Sequence, residues 1–560
     1  MRPSDIRTRF FLVAAACAAL GLIGGIAQTA SGGTSAPQRL AAANDNRPNI
    51  VLILMDDFSL ELLATMPQAQ QMKQEGAAYR NAFVIDSLCC PSRTSLFTGQ
   101  APHQTGVLTN TPNDPDEPIG GYEAFAKYGN AERSFNVALE RSGYTTGFVG
   151  KFLNRYEARQ RNGEWVAPPK VPGWSEFNAI LGGGYNGWDY RSTYLDEDGN
   201  VALRSHPAPS RDLPDEEIDK HYSGNVAADL SVDFLERNRD ADQPYFLEIA
   251  TYAPHAQLRK VYPDSPQFPS ALADRAPAGD PTGGNCGLAD CGDLTLDDLV
   301  GYDDPREDNA PTYLRADGST SPAPAWRTNQ VTLTDEAALT RYRDRARMVQ
   351  SVDRLIARVR AAAGPNTYVF LTADNGFHLG QHQLNGGKGT PYDSDSRVPL
   401  VVVGPGVVPG ERHQFVNNID LAPTFERIAG LEPAEFRSGI SFAESLANPG
   451  AATAQRAFFE HTFAKSQPGE GDLDQGSGGT IDIIPSFIAV RSERGLLVRF
   501  DLDNSWRGRD YAWELYRYDV PWEDRNVFAE DHDKPLVQQL IRRIERWEGC
   551  QPSNCRALAR

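Results

Sequence analysis

The chain has 560 residues, of which 40% are hydrophobic and 23% charged, with a formal net charge of −19. That length and balance suit a globular protein with a large buried core and exclude a disordered or collagen-like chain. The negative charge disfavours nucleic acid and anionic membranes as partners, so any site for an anion must be locally basic.

At the N-terminus, Arg2, Arg7 and Arg9 precede an Ala-rich apolar run over residues 10–27, and small residues follow at Ala27 and Ala30. This is the pattern of an export signal over residues 1–30. The run is barely long enough to span a bilayer and is broken by Gly21, Gly24 and Gly25, so no stable membrane anchor is expected. Cys17 lacks the large aliphatic residue upstream that lipidation would want. The expected location is periplasmic or secreted. Residues 31–46 are small and polar and read as a linker.

Asn49-Ile-Val-Leu-Ile-Leu-Met55 is a continuous apolar run, which suits a strand buried on both faces of a parallel sheet. A helix is expected from about Pro67 to Gly76. Further apolar runs at 145–149, 245–250, 368–372 and 400–403 alternate with helical patterns. The clearest helix covers 335–363, with Tyr342, Ala346, Val349, Val352, Ile356 and Val359 on one stripe. Alternating strands and helices imply an α/β domain with a large, mainly parallel sheet, over residues 47–455. Segments 163–223 and 264–329 are rich in Gly, Pro, Asp and Ser and read as surface excursions that shape a cleft. Trp165, Trp174, Tyr185, Trp188 and Tyr190 lie in the first, where they could stack on sugar rings or pack the loop. Residues 456–560 read as a smaller α+β subdomain, with short strands near 487–491 and 496–500 and a helix over 534–547.

In an open α/β sheet, ligands bind past the carboxyl ends of strands. Three such ends carry unusual groups: Asp56-Asp57, His255 within Ala253-Pro-His255, and Asp374-Asn375 followed by His378. Adjacent carboxylates repel unless a cation sits between them, and carboxylates with an amide oxygen describe a hard-cation site. Cys286/Cys291 and Cys550/Cys555 each close a tiny ring; disulfides fit an oxidising compartment, while zinc competes without a suitably spaced His. Cys89 and Cys90 are adjacent, which leaves a thiol free for chemistry. Pro91 fits the first turn of a helix, where Ser92 or Thr94 can bond free N–H groups. Arg93 beside that terminus adds a cation for a tetrahedral oxyanion.

The stretch from Cys89 to Gly99, Cys-Cys-Pro-Ser-Arg-Thr-Ser-Leu-Phe-Thr-Gly, resembles the sulfatase signature, in which Cys-x-Pro-Ser-Arg precedes Thr-Gly at a fixed offset. The resemblance extends to Asp56-Asp57, Gly150-Lys151, the His255 segment, Asp374-Asn375-Gly376, Lys388, Asn418-Ile-Asp-Leu-Ala-Pro423 and Leu515-Tyr-Arg-Tyr-Asp519. Cys-Cys-Pro-Ser-Arg and Gly-Lys-Phe-Leu-Asn are similar to the branch of N-acetylglucosamine-6-sulfatases and heparan endosulfatases. The resemblance implies an alkaline-phosphatase-like fold and hydrolysis of sulfate esters of a small molecule or polysaccharide. It implies that a maturase oxidises Cys89 to formylglycine, and that Asp56, Asp57, Asp374 and Asn375, with residue 89, hold one divalent cation, Ca2+. It further implies that Asp374 is the base on the nucleophile, that Arg93 and Lys151 support the aldehyde, and that Lys388 and His255 face the ester. Many members carry a His two residues after the Lys of Gly-Lys; here that position is Leu153, so His378, or His382, is the replacement candidate. The rival readings are a phosphodiester or phosphonate monoester hydrolase of the same superfamily, and a non-catalytic protein that binds sulfated polysaccharide.

Overall fold

Asn49–Met55 forms strand β1, and every residue after Asn49 is buried. Ile50, Leu52 and Leu54 pack into one apolar layer and Val51, Ile53 and Met55 into another, so both faces of the strand are covered. The computed structural model describes residues 46–112, 116–327, 330–462, 484–503, 509–518 and 523–560. The expected signal segment and all of the expected linker except Asn46 therefore lie outside the described residues.

β1 is central in a ten-stranded sheet. The others are β2 (Ala77–Phe83), β3 (Thr145–Lys151), β4 (Glu176–Ile180), β5 (Tyr190–Leu195), β6 (Val201–His206), β7 (Tyr245–Ala250), β8 (Thr367–Ala373), β9 (Leu400–Val403) and β10 (Gly410–Asn417). Their order across the sheet is β10-β2-β9-β8-β1-β7-β3-β4-β5-β6. β8, β1, β7, β3 and β4 are parallel neighbours. β9 is antiparallel to β8 and β2, and β5 is antiparallel to β4 and β6. Helices cover both faces. α1 (Pro67–Glu75), α3 (Ser223–Asn238) and α4 (Asp335–Ala362) contribute to one apolar layer, and α2 (Cys89–Thr98) to the other. α4 starts where Thr334 accepts a hydrogen bond from the Ala337 N–H at 3.2 Å, and all six residues of its expected stripe are buried.

Two expectations need correction. Segment 163–223 is not only a surface excursion, because it supplies β4, β5 and β6. Trp174, Trp188 and Tyr190 are buried there, while Trp165 is 46% exposed beneath the Arg191 guanidinium. Segment 264–329 supplies the short strands Thr312–Leu314 and Thr320–Pro322, which extend the C-terminal sheet to six antiparallel strands with Arg456–His461, Ser486–Ser492, Gly495–Asp501 and Tyr511–Arg517. That sheet is therefore built from both sides of the expected boundary at 455/456, and the described residues from Asn46 onward pack as one compact unit. Helix Pro535–Trp547 covers it through Val537, Leu540, Ile541 and Ile544. Both ring-closing cysteine pairs are disulfides, and Cys89 and Cys90 are free and buried. Among the described residues no helix is long and apolar enough to cross a membrane.

Candidate active site

Because β1, β7, β8 and β3 run parallel, their carboxyl ends open on one edge. β1 ends into Asp56 and Asp57, β8 into Asp374 and Asn375, and β3 ends on Lys151, while a short loop after β7 carries His255. Gly150 lets this edge close: its φ is +108°, and a Cβ there would lie 1.9 Å from the Ala250 carbonyl oxygen of β7. Asp57 takes a left-handed conformation, φ +56°, and its N–H donates to Asp374 Oδ1 at 3.2 Å. That region is open to Asp more readily than to most side chains.

Cys89 is the first residue of α2, and the whole helix is buried. The expected capping by Ser92 or Thr94 is not what holds the terminus, because no side chain caps it at Leu88. Asn110 Oδ1 accepts the Cys90 N–H at 2.8 Å instead. Ser92 Oγ is spent on the Asp374 carbonyl, donating at 2.5 Å, and so ties α2 to the end of β8. Arg93 is engaged likewise: Nε donates to Asp374 Oδ2 at 2.7 Å and Nη1 to the Lys151 carbonyl at 2.7 Å. Two of its nitrogens thus support the β3 and β8 ends, while Nη2, 3.9 Å from Asp56 Oδ1, is buried without a hydrogen-bond partner.

The cluster is dense. Cys89 Sγ lies 3.4 Å from Asp56 Oδ1 and 3.8 Å from Asp57 Oδ1, and Lys388 Nζ reaches Sγ at 2.8 Å and Asp57 Oδ1 at 2.6 Å. Lys151 Nζ bonds both oxygens of Asp56, at 2.8 and 2.7 Å. His255 Nε2 is 3.4 Å from Asp57 Oδ2, and its Nδ1 lies 2.7 Å from the Ala256 carbonyl. Burial opposes ionisation of Asp57, but His255 and Lys388 overcome it and hold its pKa well below the carboxylate range. Asp374 is also held low, against burial, by Arg93 and Lys151. Asp56 goes the other way: burial raises its pKa despite Lys151. Burial pushes the Cys89 thiol well above its ordinary value.

The cluster could hold a metal ion, and its carboxylate and amide oxygens are donors of the kind a hard cation takes. Ligand atoms of Asp56, Asp57, Cys89 and His255 all lie within 4.8 Å of one another. Asp57 Oδ2 and Asn375 Oδ1 are buried acceptors without a hydrogen-bond partner, and such atoms are costly unless something else satisfies them. A cavity of about 230 Å³ opens beside Lys151 and His255, walled by Tyr185 and Tyr252. The Tyr185 ring lies 4.4 Å from that of His255 and 5.0 Å from Lys151 Nζ.

Residues 48–431 match the family described as Sulfatase. The chain belongs to the sulfatase family. It is 31% identical to an arylsulfatase of Volvox carteri over 70% of this chain and 56% of that protein. It is 30% identical to the N-acetylglucosamine-6-sulfatase of Homo sapiens over 70% of this chain and 62% of that one. The chain thus spans less than two thirds of either relative. A protein solved in complex with its substrate D-glucosamine-2-N,6-O-disulfate shares the fold, with a TM-score of 0.59 and 19% identity over 91% of this chain and 98% of that one.

Against this sulfatase frame, the two remaining histidines separate. His378 Nδ1 lies 2.9 and 3.0 Å from the oxygens of Asp395, which also accepts from Thr390 N and Oγ1. His382 contacts Asp304 and lies tilted against the Tyr392 ring, and burial keeps its pKa well below the usual value. Leu153 packs into the aromatic layer beneath the sheet. The sequence reading missed Asn110, Asp395 and the role of Asn418, whose Nδ2 donates to Ser92 Oγ at 2.9 Å. Asn418 lies in a segment already singled out; Asn110 and Asp395 carry no local signal.

Proposed function

We propose that the chain hydrolyses sulfate esters, with residue 89 oxidised from Cys to formylglycine by a maturase and one divalent cation, calcium, held by Asp56, Asp57, Asp374, Asn375 and residue 89. The observation that carries this reading is the buried contact of Cys89 with Asp56, Asp57 and Lys388 at the start of α2. When bound, the cation lowers the pKa of an attacking hydroxyl and shields the incoming sulfate. The hydrated aldehyde offers one hydroxyl to attack sulfur and a second to expel sulfate, which an ordinary Ser or Cys ester could not do without water. Asp374, held ionised, accepts the proton of the attacking hydroxyl. Arg93 keeps Asp374 in place and with Lys151 supports the side chain of residue 89, Lys388 supplies positive charge for the anionic ester, and His255 protonates the leaving alkoxide. The tautomer fits: the Ala256 carbonyl can only accept, so Nδ1 carries the hydrogen and Nε2 handles the transferable proton. His378, backed by Asp395, is the second candidate to assist sulfate release where the family's His is replaced by Leu153.

The substrate class is a sulfated saccharide or an aryl sulfate, in a periplasmic or secreted setting; both relatives carry sulfatase names, one for arylsulfate and one for N-acetylglucosamine-6-sulfate chemistry. The test is mass spectrometry of the peptide carrying residue 89, paired with turnover of aryl sulfate, phosphate and phosphonate esters. A thiol-to-aldehyde mass deficit and preferential sulfate release are expected, with Cys89→Ala losing turnover while staying folded. An unmodified thiol in active protein, or faster turnover of phosphonate esters, would overturn the reading.

A further inference from the structure

Arg345 is fully buried on α4, yet it forms no ion pair among the described residues. Buried guanidinium groups are costly unless their donors are met. The partners of Nη1 and Nη2 are backbone and hydroxyl oxygens from the loops that build the site, while Nε has no hydrogen-bond partner. Nη2 donates to the Asp57 carbonyl at 2.5 Å and to Ser59 Oγ at 2.8 Å, and Nη1 donates to the Pro254 carbonyl at 3.3 Å, next to His255. Ser59 Oγ in turn donates to the Phe377 carbonyl at 2.6 Å, and the guanidinium carbon sits 4.5 Å over the Phe377 ring and 5.3 Å over Phe268. Burial pushes the Arg345 pKa down to about 10, which leaves it cationic at neutral pH.

We propose that Arg345 is a positioning residue: its fork fixes the left-handed Asp57 and locks the loops after β1, β7 and β8 in the one arrangement in which their oxygens converge on a cation. This rests on the reading of the Asp56, Asp57, Asp374 and Asn375 cluster as a cation site. The geometry explains why an arginine stands there. Asp57 donates its N–H to Asp374 Oδ1 and offers its carbonyl to Arg345, so its backbone is gripped from both sides while both carboxylate oxygens stay directed into the cluster. A lysine would keep the charge but could not reach two loop carbonyls and a hydroxyl from one rigid plane. Charge alone works in the opposite direction, since a fourth cation near Lys151, Lys388 and Arg93 repels a metal ion.

The opposition makes the test decisive. Calcium affinity is measured by calorimetry on metal-stripped full-length protein, well below the unfolding transition, for wild type, Arg345→Lys and Arg345→Met. Far-UV circular dichroism and thermal unfolding run alongside. Weakening of about 10-fold for Lys and about 100-fold for Met is expected, the range typical of lost support behind metal ligands. A packing role would lower both melting temperatures and leave the affinity of the folded protein unchanged. A purely electrostatic role would leave Lys at the wild-type value and make Met bind tighter. Either result overturns the proposal, as does wild-type affinity in the Lys variant should Met fail to fold. If wild type itself binds no calcium, the cation site fails and this inference falls with it; if wild type binds and the variants bind equally well, the inference fails alone.

Discussion

Asp57 follows one strand of the sheet and Glu248 lies within its neighbour, and both are completely buried. Asp57 stands just past the end of β1, where Lys388, His255 and the Asn375 amide reach its oxygens, and it is held ionised. Glu248 stands in the middle of β7, level with Leu52 of β1 and Phe148 of β3, and both its carboxyl oxygens lack a hydrogen-bond partner. Burial lifts its pKa to about 8, with only Arg93 pulling the other way. Equal burial thus gives opposite charge states. Within a ladder of backbone hydrogen bonds a strand cannot admit three polar partners; past its end, loops from several strands can converge.

The largest effect that would break this contrast is at Asp57. Asn tolerates the left-handed backbone, so Asp57→Asn should fold while removing the charge that balances Lys388 and His255. A fall in kcat/KM of about 10³-fold, roughly 4 kcal/mol, is expected for aryl sulfate turnover, with conversion of residue 89 checked by mass. A loss under tenfold would show that the ionised carboxylate is not central.

A smaller effect is expected one step out, where Asp395 orients His378. Asp395→Asn should lower kcat by about 10- to 100-fold, and the double variant with His378→Asn should lose little more than either single change, because the pair acts as one unit. Additive losses would mean that the two residues act separately.

The same contrast explains what could be read from sequence. Asp56-Asp57 and Asp374-Asn375 follow continuous apolar runs directly, so their place at strand ends was legible, and Cys89 was legible from the motif around it. β4, β5 and β6 were missed because the strands towards this end of the sheet carry mixed faces, and the edge strand itself, Val201–His206, has no buried residue. Ser92 looked like a cap because a helix N-terminus wants one; its actual acceptor, Asp374, lies 282 residues away. Arg345 reads as one more polar residue on an amphipathic helix, and its bond to Asp57 spans 288 residues. Local periodicity shows which face is buried, not which polar group the fold will bring to it.

The smallest effect, and the one that sharpens the comparison, concerns Glu248. Its ordinary carboxyl pKa is 4.5, and in the folded protein it is raised to about 8. Between those values the folded chain keeps a proton that the unfolded chain has released. Its contribution to stability is therefore fully present below about pH 4.5 and is lost as pH rises towards 8, with a slope of up to about 1.4 kcal/mol per pH unit. Glu248→Gln removes the titration and keeps the shape. Denaturant unfolding at pH 5 and pH 8 should show wild type losing stability relative to the Gln variant at the higher pH. Glu248→Leu, which also removes the unpartnered polar atoms, should be more stable than wild type at pH 8 by about 1–3 kcal/mol. A wild type that tracks Glu248→Gln at both pH values would mean that Glu248 finds a partner and that mid-strand burial does not by itself keep an acid neutral.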